Sequence, residues 1–342
     1  MRTITLFTSS LLCILSLNSS AQNIQHTLVD ATPLILNPAF AGNTPGKLRV
    51  IANHRFESNN SLTPYNSTNI SVDAPLLTLK NGDYIGGGLY TNVYNMTKEY
   101  YGNKNQSYNA SVSMHKLIKT RKSKGEKNLI EIAVGLTGGA ASLYHDASFD
   151  YFTYTGYNII TTHPSPINYS ITGLTNYNID LGGSFSHSLG KLVNYTVAYS
   201  INNISTQSDA ILERQAEKEG LDKRHIITVG GNIHLSKHWQ LRPCFVHIKQ
   251  NPTTNFIAGN ELMYHLKNNK KHTSLFAGLW YRTGKMHSVN AGLCHNAWKI
   301  ALAYDYNTSE LNEYYNNAIE LSLAYTMQPS KNGRKQMVCN RF

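Results

Sequence analysis

The feature that most constrains this chain is hydrophobic alternation with a period of two, repeated along nearly its whole length. Tyr177, Ile179, Leu181, Gly183 and Phe185 alternate with Asn178, Asp180, Gly182, Ser184 and Ser186. Val193, Tyr195, Val197, Tyr199 and Ile201 alternate with Asn194, Thr196, Ala198, Ser200 and Asn202. The same pattern runs through 107–114, 227–236 and 319–326, and more weakly through nine further segments between 47 and 306. Successive side chains of a strand point to opposite faces, so each segment has one apolar and one polar face. The tally is about fourteen strands of roughly ten residues, the length a tilted strand needs to cross a bilayer.

Three architectures produce such strands: a sandwich, a soluble barrel and a membrane barrel. The composition has no second regime along the chain, which favours a single closed sheet. Closure is also what leaves no unpaired strand edge in lipid. Only 15% of residues are charged, against about 25% in an average soluble domain, while Tyr (22) and Gly (24) are plentiful. After residue 21 no apolar run is long enough for a membrane helix. The expectation is an all-β transmembrane outer-membrane barrel of about 14 antiparallel strands. Tyr90, Tyr94, Trp239, Trp280, Tyr281, Tyr304 and Tyr306 are expected in its aromatic girdles.

The ends of the chain frame this body. Residues 1–21 read as a secretory signal: Arg2, an apolar stretch from Ile4 to Leu17, and Ser19-Ser20-Ala21 before the cut. Residues 22–46 form an N-terminal segment, 47–327 the barrel and 328–342 a basic tail. Export removes chromosomal DNA as a partner, although the formal charge is +11. Three cysteines remain after the leader, and no C-x-x-C occurs, so neither a closed disulfide framework nor a zinc site is indicated. Segments 56–66, 95–105, 139–175 and 204–224 read as the long connections, and 209–220 as a helix within the last of them.

Catalytic signatures are missing from the sequence: no G-x-S-x-G, H-E-x-x-H, Walker A or EF-hand loop is present. No enzyme activity and no cofactor are expected. Gly86-Gly87-Gly88 sits in a strand pattern, where glycine relieves curvature or admits close packing. Within Asn37-Pro38-Ala39-Phe40-Ala41-Gly42, Asn37 suits an Asx-type turn, Pro38 fixes φ, and Gly42 permits positive φ. The segment reads as a compact turn that places Phe40 against something. It either seats the N-terminus in or under the barrel or contacts a partner. Basic residues cluster at Lys119, Arg121, Lys122 and Lys124, at Lys270 and Lys271, and at Arg334 and Lys335. They are either solvated turns or one partner-docking face on the periplasmic side.

The Asn-Pro-Ala-Phe-Ala-Gly run, shortly after a signal peptide and ahead of a barrel, resembles the opening signature of PorP/SprF-family proteins. The ending Cys339-Asn340-Arg341-Phe342 is similar to the Cys-Pro-Arg-Phe with which family members often finish, and departs from it at Asn340. The resemblance implies an outer-membrane component of type IX secretion. It implies periplasmic and outer-membrane secretion components as partners, and in gliding bacteria a secreted surface adhesin as cargo. The alternative reading is a passive porin or a hydrophobic-solute channel.

Overall fold

The computed structural model describes residues 26–57, 65–79, 81–98, 101–121, 127–149, 154–155, 158–159, 167–190, 192–205, 222–251, 253–266, 273–308 and 317–327. The signal segment expected at 1–21, the helix expected at 209–220 and the tail expected at 328–342 lie outside these residues.

Fourteen strands pair in one closed antiparallel barrel. In chain order they are β1 (Leu48–Glu57), β2 (Tyr65–Thr78), β3 (Tyr84–Lys98), β4 (Tyr101–Arg121) and β5 (Lys127–Phe149). After β6 (Tyr154–Thr155) and β7 (Asn158–Ile159), a separate two-stranded ribbon, come β8 (Ile167–Leu189), β9 (Val193–Asn202) and β10 (Arg224–His234). The remainder are β11 (Trp239–Gln250), β12 (Thr253–His265), β13 (Thr273–Arg282), β14 (Met286–His295), β15 (Trp298–Asn307) and β16 (Ala318–Met327). Each barrel strand pairs with its sequence neighbours, and β1 closes on β16 from Leu48↔Met327 to Glu57↔Ala318.

The two faces of the sheet distinguish a membrane barrel from its soluble rivals. Ile179, Leu181, Val134, Leu136, Leu302 and Leu321 point outward and are exposed, whereas Asp180, Thr137, Ser113, Asn69 and Asp305 point into the lumen and are buried. A soluble barrel buries its apolar face; here that face is outside, where lipid covers it.

Several strands run beyond their apolar pattern. The segment 139–175, expected as irregular, contains the last part of β5 and the first part of β8, which pair from Leu129↔Ser188 to Phe149↔Ile167. Most of the connection expected at 95–105 is strand, since β3 and β4 stay paired to Lys98↔Tyr101. At 23 residues, β5 and β8 far exceed the roughly 9–11 that cross a bilayer. Beyond the lipid a strand needs ladder hydrogen bonds and no apolar outer face, so period two fades there while pairing continues.

The girdle expectation is corrected in part. Trp239 packs on Tyr264 and Trp298 on Tyr325, both with ring centroids 4.7 Å apart. These pairs point outward at the end where β1 begins, and Tyr281, Tyr304 and Tyr306 point outward towards the other end. Tyr90 and Trp280 are buried on the lumen face, and Tyr94 shares that face with Tyr90. Aromatic residue type alone does not tell lipid from lumen; strand parity does.

Candidate functional site: the N-terminal segment inside the barrel

Residues 26–46 do not lie under the barrel but inside it. Thr27, Leu28, Leu34, Asn37, Ala39, Phe40, Ala41 and Thr44 are almost fully buried. The segment folds as three short turns: 3-10 at Val29–Ala31, α-helical at Pro33–Leu36 and 3-10 at Pro38–Phe40. Pro33 and Pro38 each open a turn, where a missing N–H costs nothing.

Asn37 makes the Asx turn, its Oδ1 accepting the Ala39 N–H at 2.8 Å. Its Nδ2 donates to the carbonyls of Gly183 (3.2 Å) and Tyr199 (3.0 Å), joining the turn to β8 and β9. Gly42 has φ +68° and its N–H donates to Asp73 Oδ2 at 2.9 Å. Arg49 holds that carboxylate with two hydrogen bonds, of 2.8 and 3.0 Å. The Ala41 carbonyl accepts from Ser113 Oγ at 2.6 Å and from His115 Nε2 at 2.9 Å. His115 Nδ1 lies 2.7 Å from Glu131, and its ring stacks on Tyr84 at 4.0 Å.

The wall beneath these residues is a track of small side chains. Gly86, Ser113, Gly135, Gly182 and Ser200 are register partners across the five adjacent strands β3, β4, β5, β8 and β9. Residues 36–42 lie along this row. A Cβ on Gly182 would fall 2.1 Å from Asn37 Oδ1, one on Gly135 2.4 Å from the Pro38 carbonyl carbon, and one on Gly86 2.1 Å from the Ala41 oxygen. Ser200 donates to the Leu36 carbonyl at 2.7 Å. The glycine triplet at 86–88 therefore admits a close neighbour from inside the lumen. Gly135 and Gly182 were not singled out by sequence reasoning; their inward parity on apolar-out strands was the available signal.

Phe40, with Val29 and Leu36, fills an apolar patch of the lumen wall made by Ala198, Ile226, Cys244, Val246, Ile248, Ile257 and Trp280. Charged groups hold the start of the segment. Arg55, fully buried, pairs with Asp305 and with Glu320 at 3.3 Å. Thr27 Oγ1 donates to Asp305 at 2.7 Å, and the Thr27 and Leu28 N–H groups donate to Glu320 at 2.8 and 3.3 Å. Asp30 meets Arg242 at 3.4 Å and also contacts Lys299.

The basic residues fall differently. Lys119 and Arg121 lie in the last turn-ward residues of β4. Lys122, Lys124, Lys270, Lys271, Arg334 and Lys335 lie outside the described residues. By strand order, β4 ends, β12 ends and β16 ends at the barrel mouth where β1 begins.

A search of curated proteins finds no match. Among solved structures, the barrel is similar to the CymD monoaromatic hydrocarbon channel: TM-score 0.52, 11% identity, covering 92% of this chain and 96% of that one. It is also similar to the Pseudomonas putida toluene transporter TodX: TM-score 0.52, 11% identity, covering 89% and 97%. At such identities these likenesses establish the outer-membrane barrel fold alone. The family comparison is more specific: the model of the type IX secretion system membrane protein PorP/SprF matches residues 18–325, and the chain, with its Asn-Pro-Ala-Phe-Ala-Gly segment seated in the lumen, belongs to that family.

Proposed function

We propose that this protein is an outer-membrane component of type IX secretion whose barrel serves as a scaffold, supporting secretion or surface anchoring of cargo such as a gliding adhesin. The observation that carries this reading is the lumen, occupied by the chain's own residues 26–46 through backbone hydrogen bonds and buried ion pairs. A barrel so filled suits a docking platform better than a wide pore. On this reading Asn37, Pro38, Phe40 and Gly42 form the structural motif that seats the segment.

The test is a deletion strain assayed for cargo on the cell surface, paired with planar-bilayer recordings of the purified protein. Loss of surface cargo and absence of steady open-channel conductance are the expected results. Steady conductance in the wild-type protein, with cargo unaffected in the deletion, would select the passive channel instead.

The same reading assigns Lys119, Arg121, Lys122, Lys124, Lys270, Lys271, Arg334 and Lys335 to one periplasmic face that docks an acidic secretion component. Single exposed ion pairs contribute about 0–1 kcal/mol, but several together accelerate encounter in a salt-dependent way. Partner co-purification should therefore fall with ionic strength more steeply for the wild type than for a Lys→Gln set at 119, 122, 124, 270 and 271. An impermeant thiol reagent on intact cells should leave Ser123→Cys and Asn269→Cys unlabelled. Surface labelling at either position would place that turn outside and remove the docking face.

A further inference from the structure

One lumen arginine makes no close ion pair among the described residues. Arg49 pairs with Asp73, Arg55 with Asp305 and Glu320, Arg242 with Glu261, and Arg282 with Asp305. Arg224 opens β10 at the mouth opposite the one where β1 begins and β16 ends, and is 8% exposed. Among the described residues no carboxylate oxygen lies within ion-pair distance of it, and its Nε has no hydrogen-bond partner. Parity directs it inward: Arg224, Ile226 and Thr228 are buried, while Ile227 and Val229 face out.

Groups from two other strands converge on it. Tyr90 and Tyr94 come from the same inward face of β3, and Asp180, on β8, accepts from Asn203, the neighbour of Arg224's register partner Asn202. Asp180 is already engaged, accepting from Asn203 N at 2.9 Å and Asn178 Nδ2 at 3.4 Å. The inserted segment lies directly below. Asn202, the register partner of Arg224, donates to the Ile35 carbonyl at 3.3 Å, and Tyr90 packs against Leu34 with Ile35 beside it. Ser67 Oγ, on the register partner of Tyr94, is likewise buried without a hydrogen-bond partner. Buried polar atoms rarely go without a partner, and a buried guanidinium with no ion pair among the described residues marks a place for a ligand or ordered water.

We propose that Arg224 anchors a carboxylate-binding site in the lumen mouth opposite the one where β1 begins, walled by Tyr90 and Tyr94 and floored by the inserted segment. A planar guanidinium offers a carboxylate two parallel hydrogen bonds, and the flanking phenol rings suit an apolar or aromatic group on the same molecule. The carboxylate belongs to a small aryl acid or to the free C-terminus of a peptide; the shared chemistry is the anionic head. This site is independent of the secretion reading.

The test is isothermal titration calorimetry on the purified, folded barrel in detergent. The probes are benzoate against benzamide, and a short peptide ending in Phe against its C-terminal amide. Saturable binding of a carboxylate with at least tenfold weaker binding of its neutral partner supports the site. Benzoate binding points to a small solute, and peptide binding without benzoate binding to a protein segment. Arg224→Gln should weaken the carboxylate at least tenfold, and Arg224→Lys should fall between, with the fold of each variant checked by unheated gel migration. No saturable heat from either acid up to about 10 mM, or equal binding of acid and amide by the wild type, overturns the proposal.

Discussion

Gly135→Ala should leave much less folded barrel in the membrane than wild type, while Gly138→Ala on the same strand should change nothing measurable. The two positions differ in what a methyl group meets. At Gly135 it falls 2.4 Å from the Pro38 carbonyl carbon and 2.5 Å from the Ala39 nitrogen; at Gly138 it meets nothing within 4 Å. Overpacking a tight contact typically costs about 1–3 kcal/mol. The upper part of that range applies at Gly135, because both sides of the contact are backbone and no rotamer change relieves it. Gly182→Ala should behave like Gly135→Ala, since Asn37 is tied to two strand carbonyls and has little room to retreat. Pro38→Ala with Gly42→Val approaches the same contact from the inserted side. It loosens φ at one end and places a branched residue at φ +68°, 2.5 Å from the Gly86 Cα, at the other. The measurements are the heat-modifiable fraction on gels and protease sensitivity of residues 26–46. Normal barrel levels with a protected segment in all three variants would show that the track does not seat it. Normal barrel levels with lost secretion would make the segment a partner contact.

Arg55→Met should destabilise the barrel by about 3–5 kcal/mol, the usual consequence of stranding a buried charge. Asp305 and Glu320 are both fully buried, and Arg55 is the cation they share. Asp305 keeps Thr27 and a longer contact to Arg282, and Glu320 keeps Asn53 and the Thr27 N–H, so neither is abandoned entirely. A triple variant, Arg55→Met with Asp305→Asn and Glu320→Gln, removes the charges together and should recover most of the loss. Urea titration of folding into lipid vesicles measures both. A single variant within about 1 kcal/mol of wild type would mean that water reaches these carboxylates. Because Thr27 and Leu28 bond to the same two acids, the single variant should also free the start of the inserted segment, read as increased proteolysis near residue 27.

Much of the barrel was legible residue by residue. Tyr177, Ile179 and Leu181 against Asn178 and Asp180 announced a strand, its two faces and its membrane setting. Asn37 and Gly42 announced their own local geometry, the Asx turn and the positive φ. The longest strands were underread where their outer faces leave lipid, as at 139–149 and 167–175, because hydrogen-bonded pairing continues there without an apolar pattern. Tyr90 and Trp280 were assigned to the wrong face because residue type was given more weight than parity.

The inserted segment and its seat were not legible. Nothing local to Asn37–Gly42 says whether it lies under the barrel, against a partner or within the lumen. Gly86, Gly135 and Gly182 are ordinary strand glycines until pairing brings them, with Ser113, into one row. Arg55 finds Asp305 and Glu320 only when the first strand closes on the last. Alternation is a property of neighbouring residues, so the sequence by itself determined the strands, their facing and the closed membrane sheet. Register and closure join residues up to hundreds of positions apart, and only the tertiary structure decided what fills the lumen, where it rests and which lumen charges meet.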